Sequence, residues 1–364
     1  MHYFFLGNTP DLSLLELRTL YPGEFNLVGK EIASYEGDLD LLTLPRLGGT
    51  RKVAESLAVV ALKELTPKLI ELIAQDSAKN IAITDYSDLG MERSVFHTIK
   101  SGVERPIRFV SMETTEHELL MLSHQHVSEF NLIPCGKEIT IAKTVWIYDA
   151  EDWVSRDRSK PYRDIKRGML PPKVARIMVN LATEGKADLT LADPFCGTGT
   201  ILSEAIMIGC NVIGSDTNQG AIPGTKSNLE WILSTPGLTP RTYNLAIVDA
   251  THFHEAFPAV DAVATEPYMG PLLDERNPSS LEKIKNIAKG LDKLYRGAFK
   301  SFALALSSGG RVVMSIPSFN VYNRIIPTIS IDTLTSLGYN HLATVPYAKP
   351  GAAVVRNITI LEKK

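Results

Sequence analysis

The stretch DPFCGTGTILSEAIMIG, residues 193–209, directly follows the short apolar run LTLA at 189–192. An apolar run before a glycine-rich turn and a second apolar segment predicts a strand, a tight turn and a helix. Gly197 and Gly199 let the backbone turn and approach a ligand where a Cβ would collide, and the helix would point free N–H groups at that ligand. The absence of a G-K-[ST] sequence excludes a P-loop.

Aspartates end three successive predicted strands, at Asp193, Asp216 and Asp249. Asp193 suits an amine better than a pyrophosphate. Asp216 lies nineteen residues after Gly197, where doubly wound folds place the carboxylate that binds ribose hydroxyls. Asp249 is placed to accept from an adenine amino group. Turn chemistry explains any one of them but not readily all three, so we predict an adenosine that carries a positive charge: S-adenosylmethionine rather than NAD.

The pattern of predicted elements changes along the chain. From residue 173 strands and helices alternate, which predicts a parallel sheet covered on both faces. The segments GYNHLATVPY and VVRNITILE predict a closing antiparallel hairpin. Residues 1–145 predict a mixed α+β region, in which LSLLELRTLY, KVAESLAVVALKEL and LIELIAQ are helices and HYFFLG and NIAITDY are strands.

Charge is distributed unevenly over the 364 residues, whose formal net charge is −3. Residues 1–150 hold 14 Lys and Arg against 21 Asp and Glu, whereas residues 151–364 hold 24 against 20. The densest basic cluster, RDRSKPYRDIKR at 156–167, includes a tyrosine. This composition favours phosphate contacts with RNA, although a solvated linker has the same composition. The arginines of the predicted RNA contact are Arg156, Arg158, Arg163 and Arg167.

Several classes of protein are disfavoured by the composition. No apolar run approaches the roughly 18 residues of a membrane helix, and the N-terminus lacks the features of a signal peptide. Cys135, Cys196 and Cys210 are too few and too scattered for a disulfide framework or a zinc site. We therefore expect a cytoplasmic protein without a membrane segment or a metal.

Four segments resemble, in order, motifs X, I, II and IV of class I amino-methyltransferases: RDIKRGMLPPKVARIMVNLA (163–182), LADPFCGTGTILSEA (191–205), VIGSDTN (212–218) and TEPYMG (265–270). With RLGGTRKVAE at 46–55, the chain resembles the THUMP-domain tRNA guanosine-10 N2-methyltransferase family. The resemblance implies an α/β fold, with a C-terminal Rossmann-like, seven-stranded class I methyltransferase domain at 171–364. Before it would come an α+β ferredoxin-like/THUMP module, divided into a ferredoxin-like subdomain at 1–60, a THUMP-like RNA-binding domain at 61–150 and a linker at 151–170.

The resemblance also implies ligands. The cofactor is S-adenosylmethionine, and the residues expected to bind it are Asp193, Pro194, Gly197, Gly199, Asp216, Asp249, Ala250 and Pro172. The partner is tRNA, from which the family flips one base into the catalytic pocket. Lys52, Arg93, Arg105 and Arg108 are candidates for a basic face on the acidic N-terminal half. An accessory protein subunit is left open.

The catalytic tetrapeptide departs from the family pattern (N/D)-P-P-Y. Here Glu266 stands at the acid position, Pro267 at the first proline, Tyr268 at the second and Met269 at the aromatic. Orienting the target amino group is what the motif contributes to the rate. We expect an enzyme in which Glu266, Pro267 and Tyr268 act from a reshaped loop. The alternatives are an RNA-binding protein that has lost catalysis and an amino-methyltransferase acting on DNA or rRNA.

Overall fold

The computed structural model describes residues 1–110, 126–164, 169–271, 273 and 280–364. It divides the chain into two compact units, Met1–Val154 and Ser155–Lys364. In the described part of the chain, no helix is long and apolar enough to cross a membrane.

The first unit is built on one eight-stranded sheet with the order β2-β3-β1-β4-β8-β7-β5-β6. Its pairs are antiparallel except for β5 with β6 and β5 with β7. Strands β1 to β8 are His2–Leu6, Phe25–Leu27, Ile32–Tyr35, Thr50–Ala61, Asn80–Asp85, Arg108–Phe109, Val127–Cys135 and Glu138–Ile147. Helices α1 to α4 are Pro10–Leu20, Leu65–Gln75, Arg93–Gly102 and Ala150–Val154.

The helix predicted over KVAESLAVVALKEL is wrong, because β4 runs from Thr50 to Ala61 and α2 begins only at Leu65. Strand β4 pairs with β1 on one side and β8 on the other, and these tertiary contacts override the helical spacing of its apolar residues. The strand also reaches the predicted boundary between residues 60 and 61. The division into a ferredoxin-like and a THUMP-like subdomain stays a prediction. One sheet contains strands from both of the predicted subdomains.

The segment Leu47-Gly48-Gly49-Thr50 is a turn held by a buried acid. The carboxylate of Glu16 accepts hydrogen bonds from the Gly48 and Gly49 N–H groups at 2.9 and 2.8 Å. A Cβ at Gly49 would lie 2.7 Å from the Ser13 hydroxyl oxygen. The sequence of this turn is therefore explained by packing against α1.

Two of the four candidates for a basic face are committed elsewhere. Lys52 is buried, and its amine donates to Glu129 at 2.6 Å and to Asn131 at 2.7 Å. Arg105 donates to the carbonyls of Ile73 and Ala78. Of the four candidates, Arg93 and Arg108 are exposed, and a basic face formed by them stays a prediction.

The second unit has the strand order of a class I methyltransferase. Strands β9 to β16 are Thr190–Asp193, Asn211–Ser215, Tyr243–Ala246, Val260–Thr265, Leu306–Val321, Arg324–Pro327, Tyr339–Tyr347 and Val354–Lys363. The order is β11-β10-β9-β12-β13-β16-β15, with β14 paired to β13. The first five strands are parallel, and β16 is antiparallel to both neighbours. The seven strands of this order and the closing hairpin agree with the prediction, and β14 adds an eighth strand that was not predicted.

Helices α5 to α10 of this unit are Pro172–Thr183, Thr200–Met207, Ala221–Leu233, Phe253–Ala256, Leu281–Ala305 and Ile331–Ser336. The apolar side of α9 packs into the main core of the unit with Phe299 and Phe302, both fully buried. Because α9 leads directly into β13, its C-terminal end lies at the edge of the sheet where the parallel strands begin.

The charged segment before α5 is partly interior, so the linker predicted at 151–170 is wrong for residues 155–160. The π-helical turn Ser155–Ser159 places the Arg156 guanidinium against the Glu204 carboxylate, which Arg176 also contacts at 2.7 Å. All three of these side chains are buried. Arg156 therefore cannot contact a phosphate, because its charge is already paired inside the protein.

The other arginines predicted to contact RNA are not buried like Arg156 where the structure describes them. Arg158 and Arg163 are exposed, and their contact with RNA stays a prediction. Arg167 lies outside the described residues. Lys160 is buried and donates to the Thr200 hydroxyl at 2.9 Å. Burial lowers the pKa of this lysine.

Candidate cofactor and substrate site

A cavity of about 830 Å³ opens at the carboxyl ends of the parallel strands in the second unit. It is bounded by the turns that follow β9, β10, β11 and β12, which is where open α/β sheets bind their ligands. The predicted site residues that line it are Asp193, Pro194, Gly197, Asp216, Asp249, Ala250, Glu266, Pro267 and Tyr268. The cavity therefore brings together predicted site residues that are up to 75 positions apart in the sequence.

The glycine-rich turn uses its two glycines for different purposes. Gly197 lines the cavity with φ of +51°, and a Cβ there would meet nothing closer than the Phe195 carbonyl oxygen at 3.9 Å. Gly199 precedes α6 with φ of +76°, and a Cβ there would lie 2.7 Å from the Thr225 methyl carbon. The first glycine leaves space for a ligand, whereas the second lets α6 pack closely on α7.

Gly199 and Pro172 are not among the described residues that line the cavity, and the cofactor contacts predicted for them stay predictions. Pro172 is the first residue of α5 and is buried. The preceding Met169 and Leu170 line the cavity. Pro172 serves the fold, because its fixed φ suits the first turn of a helix.

Asp193 is the most perturbed carboxyl of the cavity. It is 2% exposed, and it accepts hydrogen bonds from the Thr265 hydroxyl at 2.6 Å and the Phe195 N–H at 3.2 Å. Burial, reinforced by the charges of Asp216 and Glu266, raises the pKa of Asp193 to about 7. A ligand with a positive charge would stabilise the ionised form, since opposite charges favour each other strongly in a buried site.

Asp216 both faces the cavity and fastens the glycine turn. Its two carboxylate oxygens accept from the Gly197 N–H at 3.0 Å and the Asn218 N–H at 2.8 Å. A carboxylate has about four acceptor positions, so this one retains capacity for ribose hydroxyls. Asp249 is exposed and caps the next turn, where it accepts from the Thr251 N–H at 2.8 Å.

Glu266 forms an ion pair that was not foreseen. The Nε of Arg356, on β16, donates to Glu266 Oε1 at 2.7 Å. The Arg356 and Glu266 side chains are 32% and 18% exposed, and both line the cavity. Glu266, the acid of the tetrapeptide, is therefore held by a residue that lies 90 positions later in the sequence.

Tyr268 combines a fixed backbone with an exposed ring. Its carbonyl accepts from the Tyr295 hydroxyl of α9 at 2.7 Å, while its side chain is 58% exposed. Burial, with the Glu266 charge as a smaller cause, raises the pKa of Tyr295, which keeps its hydroxyl a donor. An exposed aromatic ring on a fixed backbone at the mouth of a cavity is suited to stacking on a base.

Three residues of the site were missed from the sequence, namely Thr265, Tyr295 and Arg356. Thr265 directly precedes Glu266, and its position at the end of β12 was a usable signal. Tyr295 and Arg356 are 27 and 90 residues from their partners. They reach the site through the packing of α9 and the register of the final hairpin, and no local motif marks either of them.

Comparison with known proteins agrees with this geometry. Residues 160–330 match the model of the UPF0020 family, described as an RMKL-like methyltransferase domain. The match covers slightly less than half of the chain. In the part of the chain that the structure describes, no group of His, Cys, Asp and Glu is arranged to hold a metal ion.

The curated relatives carry tRNA-modifying names. The tRNA (guanine(10)-N2)-dimethyltransferase of Pyrococcus abyssi is 32% identical over 188 residues, which cover 50% of this chain and 49% of the relative. The protein of the same name from Methanocaldococcus jannaschii is 37% identical over 122 residues, 32% of this chain and 33% of the relative. The chain thus spans about half the length of the Pyrococcus abyssi relative and about a third of the length of the Methanocaldococcus jannaschii relative.

Solved structures resemble the chain more distantly. A putative RNA methyltransferase from Pyrococcus horikoshii has a TM-score of 0.37 at 14% identity, and covers 59% of this chain and 99% of its own. An N-methyltransferase from Bradyrhizobium japonicum with bound S-adenosylhomocysteine has a TM-score of 0.38 at 13% identity, and covers 58% of this chain and 97% of its own.

Proposed function

We propose that the chain is an S-adenosylmethionine-dependent methyltransferase that acts on the N2 amino group of a guanosine in tRNA. The observation that carries the proposal is that Asp193, Asp216 and Glu266 line one cavity, each at the end of a parallel strand or directly after it. The names of the curated relatives support tRNA as the substrate and guanosine 10 as the position.

The residues of the cavity fit S-adenosylmethionine by size and by charge. A volume of about 830 Å³ lies within the range of about 300–1,000 Å³ of small-molecule sites. In the proposed assignment Asp193 and Pro194, beside Gly197, meet the methionine end with its amino group. Asp216 takes the ribose hydroxyls, and Asp249 with Ala250 takes the adenine. Lys160, beside Thr200 at the start of α6, adds positive potential near the methionine carboxylate.

The chemistry assigned to the chain's own residues is orientation and proton acceptance. When bound, S-adenosylmethionine supplies a methyl group on a sulfonium, which is electrophilic and needs no further activation. Glu266 accepts a hydrogen bond from the guanine N2 amino group and turns the nitrogen lone pair toward that methyl group. Glu266 would also accept the proton that N2 loses on methylation and pass it to solvent. Tyr268 stacks on the flipped base.

RNA binding is assigned to exposed cations near the site and to the first unit. Arg158 and Arg163 are the basic residues of the cluster at 156–167 that remain for phosphate contacts among the described residues. The first unit is proposed as the THUMP-like module, although its charge is unfavourable for RNA. The first unit would then recognise tRNA through the shape of its surface rather than through its net charge.

The test is transfer of labelled methyl groups from S-adenosylmethionine to an unmodified tRNA transcript, with single-stranded DNA and an rRNA fragment as competing substrates. We expect label in tRNA alone, and its loss in Asp216→Ala. Tight tRNA binding without transfer to any nucleic acid would favour the RNA-binding alternative. Label in DNA or rRNA would favour the other amino-methyltransferases.

A further inference from the structure

We propose that Arg356 is a positioning residue of the methyl-transfer site, which fixes Glu266 in one rotamer and leaves its second oxygen for the substrate amino group. The inference rests on the proposed function and extends it to a residue outside the four methyltransferase motifs. It is carried by the ion pair between Arg356 Nε and Glu266 Oε1, at 2.7 Å.

The need for such a residue follows from the length of the acid. A glutamate has one more rotatable bond than the aspartate or asparagine of the family pattern, and a free glutamate side chain loses substantial rotamer entropy when it is fixed. A charge-assisted hydrogen bond from a guanidinium supplies that fixation with a defined direction. With Oε1 held by Arg356, Oε2 is the oxygen left to accept from a base.

The charges of the residues that line the cavity also support a positioning role for Arg356. Among the described residues that line it, Arg356 is the only basic one, against Asp164, Asp193, Asp216, Asp249 and Glu266. Without Arg356, Glu266 would face these carboxylates with no cation among the lining residues, and its favoured orientation would be away from them. Arg356 therefore sets where the Glu266 carboxylate lies.

The backbone around Arg356 is suited to a fixed role. Arg356 lies in β16 between two antiparallel neighbours, opposite Pro317 of β13 and Tyr347 of β15. Tyr268, next but one to Glu266, is held from the other side by Tyr295. The loop after β12 is thus fastened at two points, one through a side chain and one through a carbonyl.

The experiment measures kcat and KM for a tRNA transcript at saturating cofactor. Arg356→Met keeps an unbranched side chain that reaches about as far as Nε and removes the guanidinium and its charge, so we expect kcat to fall by roughly 100-fold, the cost of a misplaced reacting group. KM for tRNA and cofactor affinity should change little. Arg356→Lys should restore part of kcat. The control is Arg296→Met, because Arg296 Nε also pairs with a carboxylate at 2.7 Å, from Asp292 on the surface of α9, and its kcat should equal the wild type.

A double variant separates action through Glu266 from direct action. In a Glu266→Gln background, Arg356→Met should lower kcat no further, since the two residues act as one unit. Because residue 266 is uncharged in this background, no Glu266 carboxylate is left without its cation, so the comparison holds even where Arg356→Met alone does not fold. A further loss in that background, or a loss confined to KM for tRNA, would overturn the inference. A wild-type chain that transfers no methyl group would instead overturn the proposed function itself.

Discussion

At the scale of single residues, Asp193 is expected to make cofactor binding depend on pH. Its pKa of about 7 in the ligand-free protein means that binding a cationic ligand requires loss of a proton below that pH. We expect affinity for S-adenosylmethionine to weaken about tenfold from pH 8 to pH 6 on account of this group. Calorimetry on the wild type and Asp193→Asn separates its effect from titration of the cofactor. Parallel pH dependence in the two proteins would contradict the assignment.

The same carboxyl should reduce the stability of the ligand-free protein. Its pKa in the folded state lies above the ordinary aspartate value of 3.8, so the folded state prefers it protonated. The free energy of unfolding therefore falls as pH rises from about 4 to 7, and the loss is complete above that window. Thermal melting should find Asp193→Asn more stable than the wild type at pH 8, with a smaller difference at pH 5. A less stable variant at pH 8 would show that the carboxylate is compensated.

Asp216 offers a second prediction at this scale. Asp216→Ala should weaken cofactor binding because the ribose hydroxyls lose their acceptor, and it should also loosen the turn at Gly197, because two backbone N–H groups lose theirs. Asp216→Asn keeps one oxygen for the turn and should retain more stability than Asp216→Ala. Calorimetry and thermal melting together measure both effects. An unchanged affinity in Asp216→Ala would mean that the ribose site lies elsewhere.

At the scale of elements, the glycine turn between β9 and α6 provides a matched pair of substitutions. Both Gly197→Ala and Gly199→Ala place a side chain at positive φ, which costs of the order of 1 kcal/mol. Only Gly199→Ala adds a clash, with the Thr225 methyl group at 2.7 Å. We expect Gly199→Ala to lower the melting temperature more, and Gly197→Ala to lower cofactor affinity more.

Thr225→Ser tests the cause of that difference. It removes the clashing methyl group and keeps the hydroxyl that donates to the Gly197 carbonyl at 2.7 Å. The stability of Gly199→Ala should recover in part in the double variant, as measured by chemical unfolding. Equal losses in the single and double variants would place the strain in the backbone alone.

Whether a helix or strand could be predicted depended on whether local sequence or contacts with distant residues determine its structure. The strand–turn–helix at 189–208 was predictable because Gly197 and Gly199 must have positive φ there, and local sequence carries that requirement. Strand β4 was not, because KVAESLAVV has apolar residues at helical spacing and becomes a strand only through pairing with β1 and β8. The predicted contact of Arg156 with RNA was wrong for a related reason, because its partner Glu204 is 48 residues away.

At the scale of the whole molecule, the distribution of exposed cations should control tRNA affinity. Replacing Arg158 and Arg163 by Ala should make binding less dependent on salt, and the slope should shrink by roughly one for each phosphate that an arginine no longer neutralises. Lys300→Ala is the control, because Lys300 is exposed near the end of α9 that leads away from the cavity. Filter binding over a series of salt concentrations measures both. An unchanged slope in the double variant would leave Arg158 and Arg163 as solvated surface.

The proposed activity of this cavity is methylation of the N2 amino group of a tRNA guanosine, with Glu266 as the acceptor. The most direct test is mass analysis of nucleosides from an unmodified tRNA transcript after incubation with S-adenosylmethionine. A second transcript carries adenosine at position 10, with its pairing partner changed to match. We predict N2-methylguanosine, or its N2,N2-dimethyl form, in the first transcript only, and its loss in Glu266→Ala. Methyl transfer to another nucleoside, or transfer that survives Glu266→Ala, would contradict the account.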